Sequence, residues 1–341
     1  MELNAASIKK LSAFLSDHFA SPVTIDNAEK LSGGAIQENW GLHLTVAGGP
    51  DKGDYDLVLR CDAPSSVFAS HGRAEEFKLL QAAYAAGVKV PKPFVLCTDT
   101  TVLGVVFFVM ERMPGIAHGH RVTGGDKNPG LAHELGRQLA KIHTLTPGVA
   151  GLDFLAPPAV SPAGTAVAHY RAYLDETDWP CPALEWGLKW LENHAPETTE
   201  QVLCHRDFRT GNYLLDKGRL TAILDWEFSG WGDRMEDLGW FTARCWRFGS
   251  PHLEAGGIGD ARDFYHGYEQ QSGVKIDRDG VFYWQVMAHV RWAVIAISQS
   301  RRHVSGKEPS LELALTGHVV PELEWQVLAM ISDKTGGPRH A

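Results

Sequence analysis

The sequence predicts an α+β chain of two lobes, a small lobe of antiparallel strands with one packed helix over residues 1–113 and a larger, mainly helical lobe over 114–341. Three observations predict it. Tyr55, Leu57 and Leu59 alternate along residues 55–60, the pattern of a half-buried strand. Residues 105–110 form a short, continuous apolar run that is followed by Glu111, Arg112 and Met113 and then by Pro114 and Gly115, a pair that marks a turn. Beyond that turn apolar residues recur at helical spacing, first at Leu131, Leu135, Leu139 and Ile142.

Taken along the chain, Ile8, Leu11, Phe14, Leu15 and Phe19 mark an amphipathic helix. Strands are expected at 23–31 and 40–46, joined through Leu31, Ser32, Gly33, Gly34 and Ala35, where glycines let backbone amides approach phosphate oxygens. The strand at 55–60 ends on Arg60, and a helix over 73–86 buries Phe77, Leu80 and Tyr84. The run at 105–110 reads as a buried strand, far too short to span a bilayer. Further helices are expected at 165–174, 184–193, 236–247, 262–271, 282–301 and 310–332. The Gly- and His-rich loop at 115–129 and the Pro-rich stretch at 156–162 are linking pieces.

With 341 residues, 44% apolar and 11 Trp, the chain can bury a sizeable core. A net charge of −9 speaks against a nucleic-acid or anionic-membrane partner. Cys61, Cys97, Cys181, Cys204 and Cys245 form no C-x-x-C pair, so neither a disulfide framework nor a zinc site is indicated. Residues 1–19 lack the basic start and continuous apolar stretch of a signal peptide, and a reducing cytoplasm is the expected location. Neither a dinucleotide-binding glycine fingerprint nor a P-loop is present. Nothing in the sequence fixes the oligomeric state.

The chemistry concentrates in one segment. His205, Asp207 and Asn212 stand in a loop, and Asp225 ends an apolar stretch at 220–224. Transfer of a γ-phosphoryl group demands positioning more than covalent work: an acceptor hydroxyl held in line, and metal ions that neutralise the phosphate oxygens. Asp207 suits the hydroxyl. The Asn212 amide oxygen and the Asp225 carboxylate are hard donors of the kind magnesium takes, one or two carboxylates being enough beside the phosphates. Each of the three alone is an ordinary turn or cap residue. In this order, with apolar strands between them, they point to a kinase active site.

At these residues a family becomes recognisable. His205, Asp207, Phe208, Arg209, Gly211 and Asn212, then Leu224 to Glu227, Gly232, Asp233 and Glu236 to Trp240, resemble the aminoglycoside phosphotransferase family, and look closest to its branch associated with acyl-CoA dehydrogenases. The resemblance implies a protein-kinase-like fold and phosphorylation of a small molecule. It implies ATP, with GTP possible, and Mg2+ as cofactors. It makes Ser32, Gly33 and Gly34 the phosphate loop and Arg60 the cation on the α- and β-phosphates. Glu76 is the helix partner that the family's Glu-aromatic-x-x-Leu pattern selects, with Glu75 the alternative. The strand-to-turn step from Glu111 to Met113 becomes the adenine-binding hinge, acting through main chain. The partner implied is a small-molecule hydroxyl substrate, a metabolite or antibiotic-like compound. Its walls would come from roughly 170–190 and 240–292, rich in Trp and Tyr, most of them expected in the core.

One departure from the family is visible, and one difference from protein kinases. Arg206 stands where the family usually has Gly, a guanidinium placed either toward an anionic substrate or, as the plainer reading, toward solvent or in an ion pair. Asp225, Trp226 and Glu227 replace the Asp-Phe-Gly of protein kinases, which disfavours a protein substrate. A nucleotide-binding pseudoenzyme or sensor of the same fold is the alternative reading, though Asp207, Asn212 and Asp225 are all present.

Overall fold

A computed structural model describes residues 3–31, 37–62, 70–117, 119–123, 127–177, 179–198 and 200–335. The chain divides into two compact units, and neither is continuous. One combines Met1–Ala117 with Gly148–Phe154 and Asn212–Ser229; the other holds His118–Pro147, Leu155–Gly211 and Gly230–Ala341.

The first unit is built on a five-stranded antiparallel sheet. Its strands, in chain order Val23–Lys30, Gln37–Val46, Gly53–Asp62, Pro93–Cys97 and Phe107–Glu111, lie side by side as first, second, third, fifth and fourth. One face of the sheet is apolar because the pleat alternates: Leu42, Leu44, Leu57, Leu59, Phe107 and Val109 all point into one core. Helix Ala5–Phe19 covers that face with Leu11, Leu15 and Phe19. Asn4 caps the helix, its side chain accepting from the Ser7 amide at 3.0 Å. Antiparallel register sets Arg60 opposite Asn39 on one side and Phe108 on the other.

Helix Arg73–Ala85 buries Phe77, Leu79 and Leu80, while Tyr84, expected in that stripe, is 46% exposed. A short hairpin, Tyr213–Asp216 with Arg219–Ile223, completes this unit. Lys217 and Gly218, at φ 50° and 75°, make its two-residue turn, the left-handed pair that matches strand twist. Gly115 is required where the hairpin meets the rest of the unit: its φ is 128°, and a Cβ there would lie 2.7 Å from the Leu215 backbone.

The second unit is mainly helical and carries a two-stranded ladder, Val202–Cys204 with Gly230–Gly232. Helices Pro129–Ile142 and Ala261–Ser272 pack backbone to backbone, since a Cβ on Gly136 would fall 2.0 Å from the Phe264 carbonyl oxygen. Helix Arg234–Thr242 meets Arg278–Val304 in the same manner, with Gly239 against Trp284. Helices Pro162–Asp175 and Pro182–Asn193 begin two or three residues earlier than their apolar pattern, because Pro fits the first turn, where its missing N–H costs nothing.

Two expected helices are shorter than their patterns suggest. That at 236–247 is Arg234–Thr242, with Ala243 extended and a 3-10 turn at Arg244–Trp246. The Thr242 carbonyl is satisfied by the Arg247 guanidinium at 2.9 Å, so the ladder need not continue. That at 310–332 divides into Leu311–Thr316, Gly317–Val319 and Val320–Thr335, because Pro321 is tolerated only in a first turn. An antiparallel-sheet unit with a larger helical unit is the α+β architecture expected. Trp240, Trp246, Trp284, Tyr265, Tyr268 and Tyr283 are core, whereas Trp179 and Trp186 are exposed. Among the described residues no helix is long and apolar enough to cross a membrane.

Candidate active site

In the sheet-bearing unit the site begins at Arg60, near the end of strand Gly53–Asp62. Its Nε donates to Glu76 Oε2 at 3.1 Å, and its Nη2 lies 2.8 Å from Glu76 Oε1 and 2.9 Å from Asp225 Oδ1. Glu76 sits in the first turn of helix Arg73–Ala85, where an acidic side chain also complements the helix dipole. Glu76, rather than Glu75, is therefore the partner of Arg60. Arg73, one turn earlier, donates to Glu76 and Asp62 and reaches Glu227 at 3.3 Å.

The result is a cluster of two guanidiniums and four carboxylates, with Arg60, Arg73, Glu76 and Glu227 all buried. Removing such charges from water is costly unless each is paired, and here each is. Burial works to lower the Arg60 pKa, but Glu76 and Asp225 outweigh it and hold the guanidinium more firmly charged than usual. Burial pushes the Glu227 carboxyl up against the pull of Arg60. Arg73 and the role of Glu227 were not singled out from sequence. The signal was present: Arg73 precedes Glu76 by three residues, a helix-face pair, and Glu227 follows Asp225 by two.

Asp225 itself adopts φ 60°, a left-handed conformation uncommon for a residue with a Cβ and least costly for Asp and Asn. The Leu224 amide donates to the Asn212 carbonyl at 2.8 Å, so backbone pairing fixes Asp225 relative to Asn212. Asn212 is buried, and the Asp225 side chain is 35% exposed. An amide oxygen and a carboxylate are hard donors that fit a magnesium ion. A cavity in the same unit is lined by Arg60, Phe108, Met110, Leu224 and Asp225. Glu111 ends the strand beside it, its amide donating to the Lys92 carbonyl at 2.9 Å, and Met113 follows at a half-buried position. Ser32, Gly33 and Gly34 lie outside the described residues.

In the helical unit the loop that carries Asp207 hangs from one carboxylate. Asp237, fully buried, accepts the His205 amide at 2.6 Å and the Arg206 amide at 2.7 Å. His143 Nε2 lies 3.2 Å from the same carboxylate, and its Nδ1 lies 2.8 Å from the Tyr268 hydroxyl. Burial would raise the Asp237 pKa, yet the His143 hydrogen bond and the nearby His205 hold it below the usual carboxylate range. His143, Cys204 and Asp237 bring possible ligand atoms within 4.8 Å of one another. Each is already committed, Cys204 Sγ to the Asp233 carbonyl at 3.2 Å, so the cluster is a hydrogen-bonded knot beneath the loop.

Above the knot, the Asp207 amide donates to His205 Nδ1 at 3.2 Å, and Arg209 Nε donates to Asp207 Oδ1 at 3.1 Å. Arg209 in turn lies over the Trp246 ring at 4.8 Å. Thr210 anchors the far end, its hydroxyl donating to the Gly256 carbonyl at 2.7 Å. His205 is fully buried with its ring edge-on to Phe208, so it orders the loop. Arg206 is ion-paired with Glu236.

The phosphotransferase enzyme family model matches residues 27–272. Acyl-CoA dehydrogenase family member 10 of Mus musculus is 28% identical over 298 residues, which cover 80% of this chain and 27% of that protein. The chain thus spans 27% to 37% of the length of the curated relatives it first matches. Among solved structures, one from Ralstonia eutropha assigned to the aminoglycoside phosphotransferases superposes with a TM-score of 0.75 at 23% identity, covering 95% of this chain and 98% of its own. A spectinomycin phosphotransferase in complex with ADP and spectinomycin gives 0.62 at 13% identity, with coverage of 95% and 98%. At these identities both similarities carry the fold alone.

Proposed function

This chain belongs to the phosphotransferase enzyme family, and from that premise we propose that it transfers the γ-phosphoryl group of ATP, or alternatively GTP, to a hydroxyl of a small molecule. The observation that carries the reading is the buried Arg60–Glu76 pair with Asp225 on the same guanidinium. A cation so held stays charged at any working pH and presents a fork suited to phosphate oxygens.

In this reading Arg60 binds the α- and β-phosphates and Glu76 keeps it aimed. The amides around Ser32, Gly33 and Gly34 cover the phosphates, and the main chain from Glu111 to Met113 takes the base. Asn212 and Asp225 would hold Mg2+, which when bound neutralises charge on the phosphate oxygens. Asp207 orients the acceptor hydroxyl and takes its proton at a carboxylate oxygen as the new O–P bond forms and the bond to the nucleoside diphosphate breaks. Arg209 donates to Asp207 Oδ1 and so helps to orient the carboxylate. The thiols of Cys61, Cys97, Cys181, Cys204 and Cys245 are all free, which accords with a reducing cytoplasm.

Acceptor chemistry is best approached by screening alcohols, hydroxyacyl thioesters, amino sugars and aminoglycosides for ATP-dependent phosphorylation with magnesium. Transfer of labelled γ-phosphate to at least one of them is the expected result. Nucleotide binding without transfer to any class would instead favour a sensor.

A further inference from the structure

Arg206 occupies a position where a side chain is disfavoured: its φ is 64°, in the left-handed region that suits glycine. What the side chain does there accounts for its presence. Its Nη2 donates to the Trp231 carbonyl at 2.9 Å, and its Nε lies 3.3 Å from Glu236 Oε1. Two glycines make the room. A Cβ on Gly230 would lie 2.5 Å from Arg206 Nη1, and one on Gly232 would lie 2.5 Å from Glu236 Oε2. Burial pushes the Glu236 carboxyl up, and Arg206 is the largest influence pulling it back toward the charged form.

We infer that Arg206 is a positioning residue for Asp207, its guanidinium clamped in a socket formed by Gly230, Trp231, Gly232 and Glu236. The inference rests on the catalytic role proposed for Asp207. Asp237 already fixes the loop by its backbone at His205 and Arg206. The clamp adds a second, side-chain anchor at the residue next to Asp207, on the Trp231 carbonyl and on Glu236. It also commits the guanidinium to partners within the protein, Trp231 and Glu236, where service as a ligand for substrate is the other use open to a cation beside Asp207. Because the anchor occupies a backbone conformation that Gly prefers, its removal relieves strain while it loosens the loop. Position, more than fold stability, is what the pair supplies.

The test compares wild type with Arg206→Gly, Gly230→Ala and the double variant by amide hydrogen exchange over residues 203–211, melting temperature, nucleotide affinity and turnover on an accepted hydroxyl substrate. Arg206→Gly should speed exchange in that segment about tenfold and cut kcat on the order of ten- to a hundredfold, since small misplacements of a reacting group are costly. Nucleotide affinity and melting temperature should stay near wild type. Gly230→Ala should reproduce these effects by evicting the guanidinium, and the double variant should be no worse than Arg206→Gly alone. Unchanged exchange in Arg206→Gly would overturn the inference, as would Gly230→Ala remaining equally harmful without Arg206. Arg206→Lys should restore only part of the protection, because a point charge cannot serve both Trp231 and Glu236 as a fork does. The exchange readout needs no substrate, so a wild type inactive on every hydroxyl compound would sink the catalytic reading while leaving the clamp testable.

Discussion

Arg60 Nη2 donates to Asp225 Oδ1 at 2.9 Å, joining the proposed phosphate-binding cation to the proposed metal-binding carboxylate in the same unit. The pair offsets the charge of Asp225. In the proposed roles, phosphate oxygens would engage Arg60 and Mg2+ would engage Asp225. The exchange trades one charge-assisted contact for two, so metal and nucleotide should bind cooperatively. ATP is expected to raise the melting temperature mainly when Mg2+ is present. Asp225→Asn should remove the magnesium-dependent part of the shift. It should cost only about 1 kcal/mol of stability, since the side chain is a third exposed and Arg60 keeps Glu76. An equal shift in EDTA, read by thermal unfolding, would count against Asp225 as a metal ligand.

The Arg60–Glu76 pair should show its coupling in a double-mutant cycle. Arg60→Ala leaves Glu76 with Arg73, so the loss is expected at about 2 kcal/mol, below the usual cost of orphaning a buried charge. Glu76→Ala removes a carboxylate shared by two guanidiniums and should cost more in stability. For nucleotide KM the order should reverse, because in the proposed role Arg60 would touch phosphate and Glu76 would act through it. Combined, the two changes should fall short of their sum by roughly 1 kcal/mol or more. Strict additivity in urea unfolding and in KM would mean the residues act independently.

How far the site was legible follows from the reach of each signal. Arg60 and a glutamate at 75 or 76 were readable from the resemblance to the family's pattern, on a strand and a helix that period-2 and 3.6-period spacing supply. The choice between Glu75 and Glu76 was not, since one residue is a 100° turn of helix and only the sheet decides which face meets Arg60. Asp207, Asn212 and Asp225 stood out by spacing. Arg73 did not, because its three-residue spacing to Glu76 reads as an ordinary helix-face pair until Glu227, 154 residues later, is folded beside it. The knot of His143, Asp237 and Tyr268 is equally long-range. Helix ends at Thr242 and Thr316 were misread because apolar periodicity ran on past residues whose backbone turns away.

His289 should make the protein sensitive to mild acid. It is fully buried on helix Arg278–Val304, and its Nδ1 lies 2.7 Å from the Gln285 carbonyl, so the ring is neutral with its proton on Nδ1. Burial pushes its pKa down to about 4. In the unfolded chain the same side chain protonates near its ordinary value, about 6.5. The unfolded state therefore binds more protons between these two values, and stability falls as pH drops through that window. The full effect is about 3 kcal/mol, from roughly 1.4 kcal/mol per pKa unit. His289→Asn, which can keep a donor for Gln285, should lose less stability than wild type between pH 7 and pH 4. Parallel pH profiles for the two proteins, measured by urea unfolding, would contradict the assignment.

Asp207→Ala separates catalysis from binding. Asp207 is placed by the His205 ring through its own amide and by Arg209 through one carboxylate oxygen, and none of these contacts involves Arg60, Glu76 or Asp225. Its removal should therefore leave nucleotide affinity within about twofold, whereas turnover should fall by on the order of 10²–10⁴, the usual worth of general-base assistance with alignment. Stability should change little, because the loop stays hung from Asp237 and Thr210 stays on Gly256. Asp207→Asn should be nearly as slow, since an amide can orient a hydroxyl but cannot accept its proton. Single-turnover transfer rates and nucleotide dissociation constants, measured on an accepted acceptor, distinguish the outcomes. Near-normal transfer by Asp207→Ala would assign the proton to another group, and a parallel loss of nucleotide affinity would mean the aspartate serves the nucleotide instead.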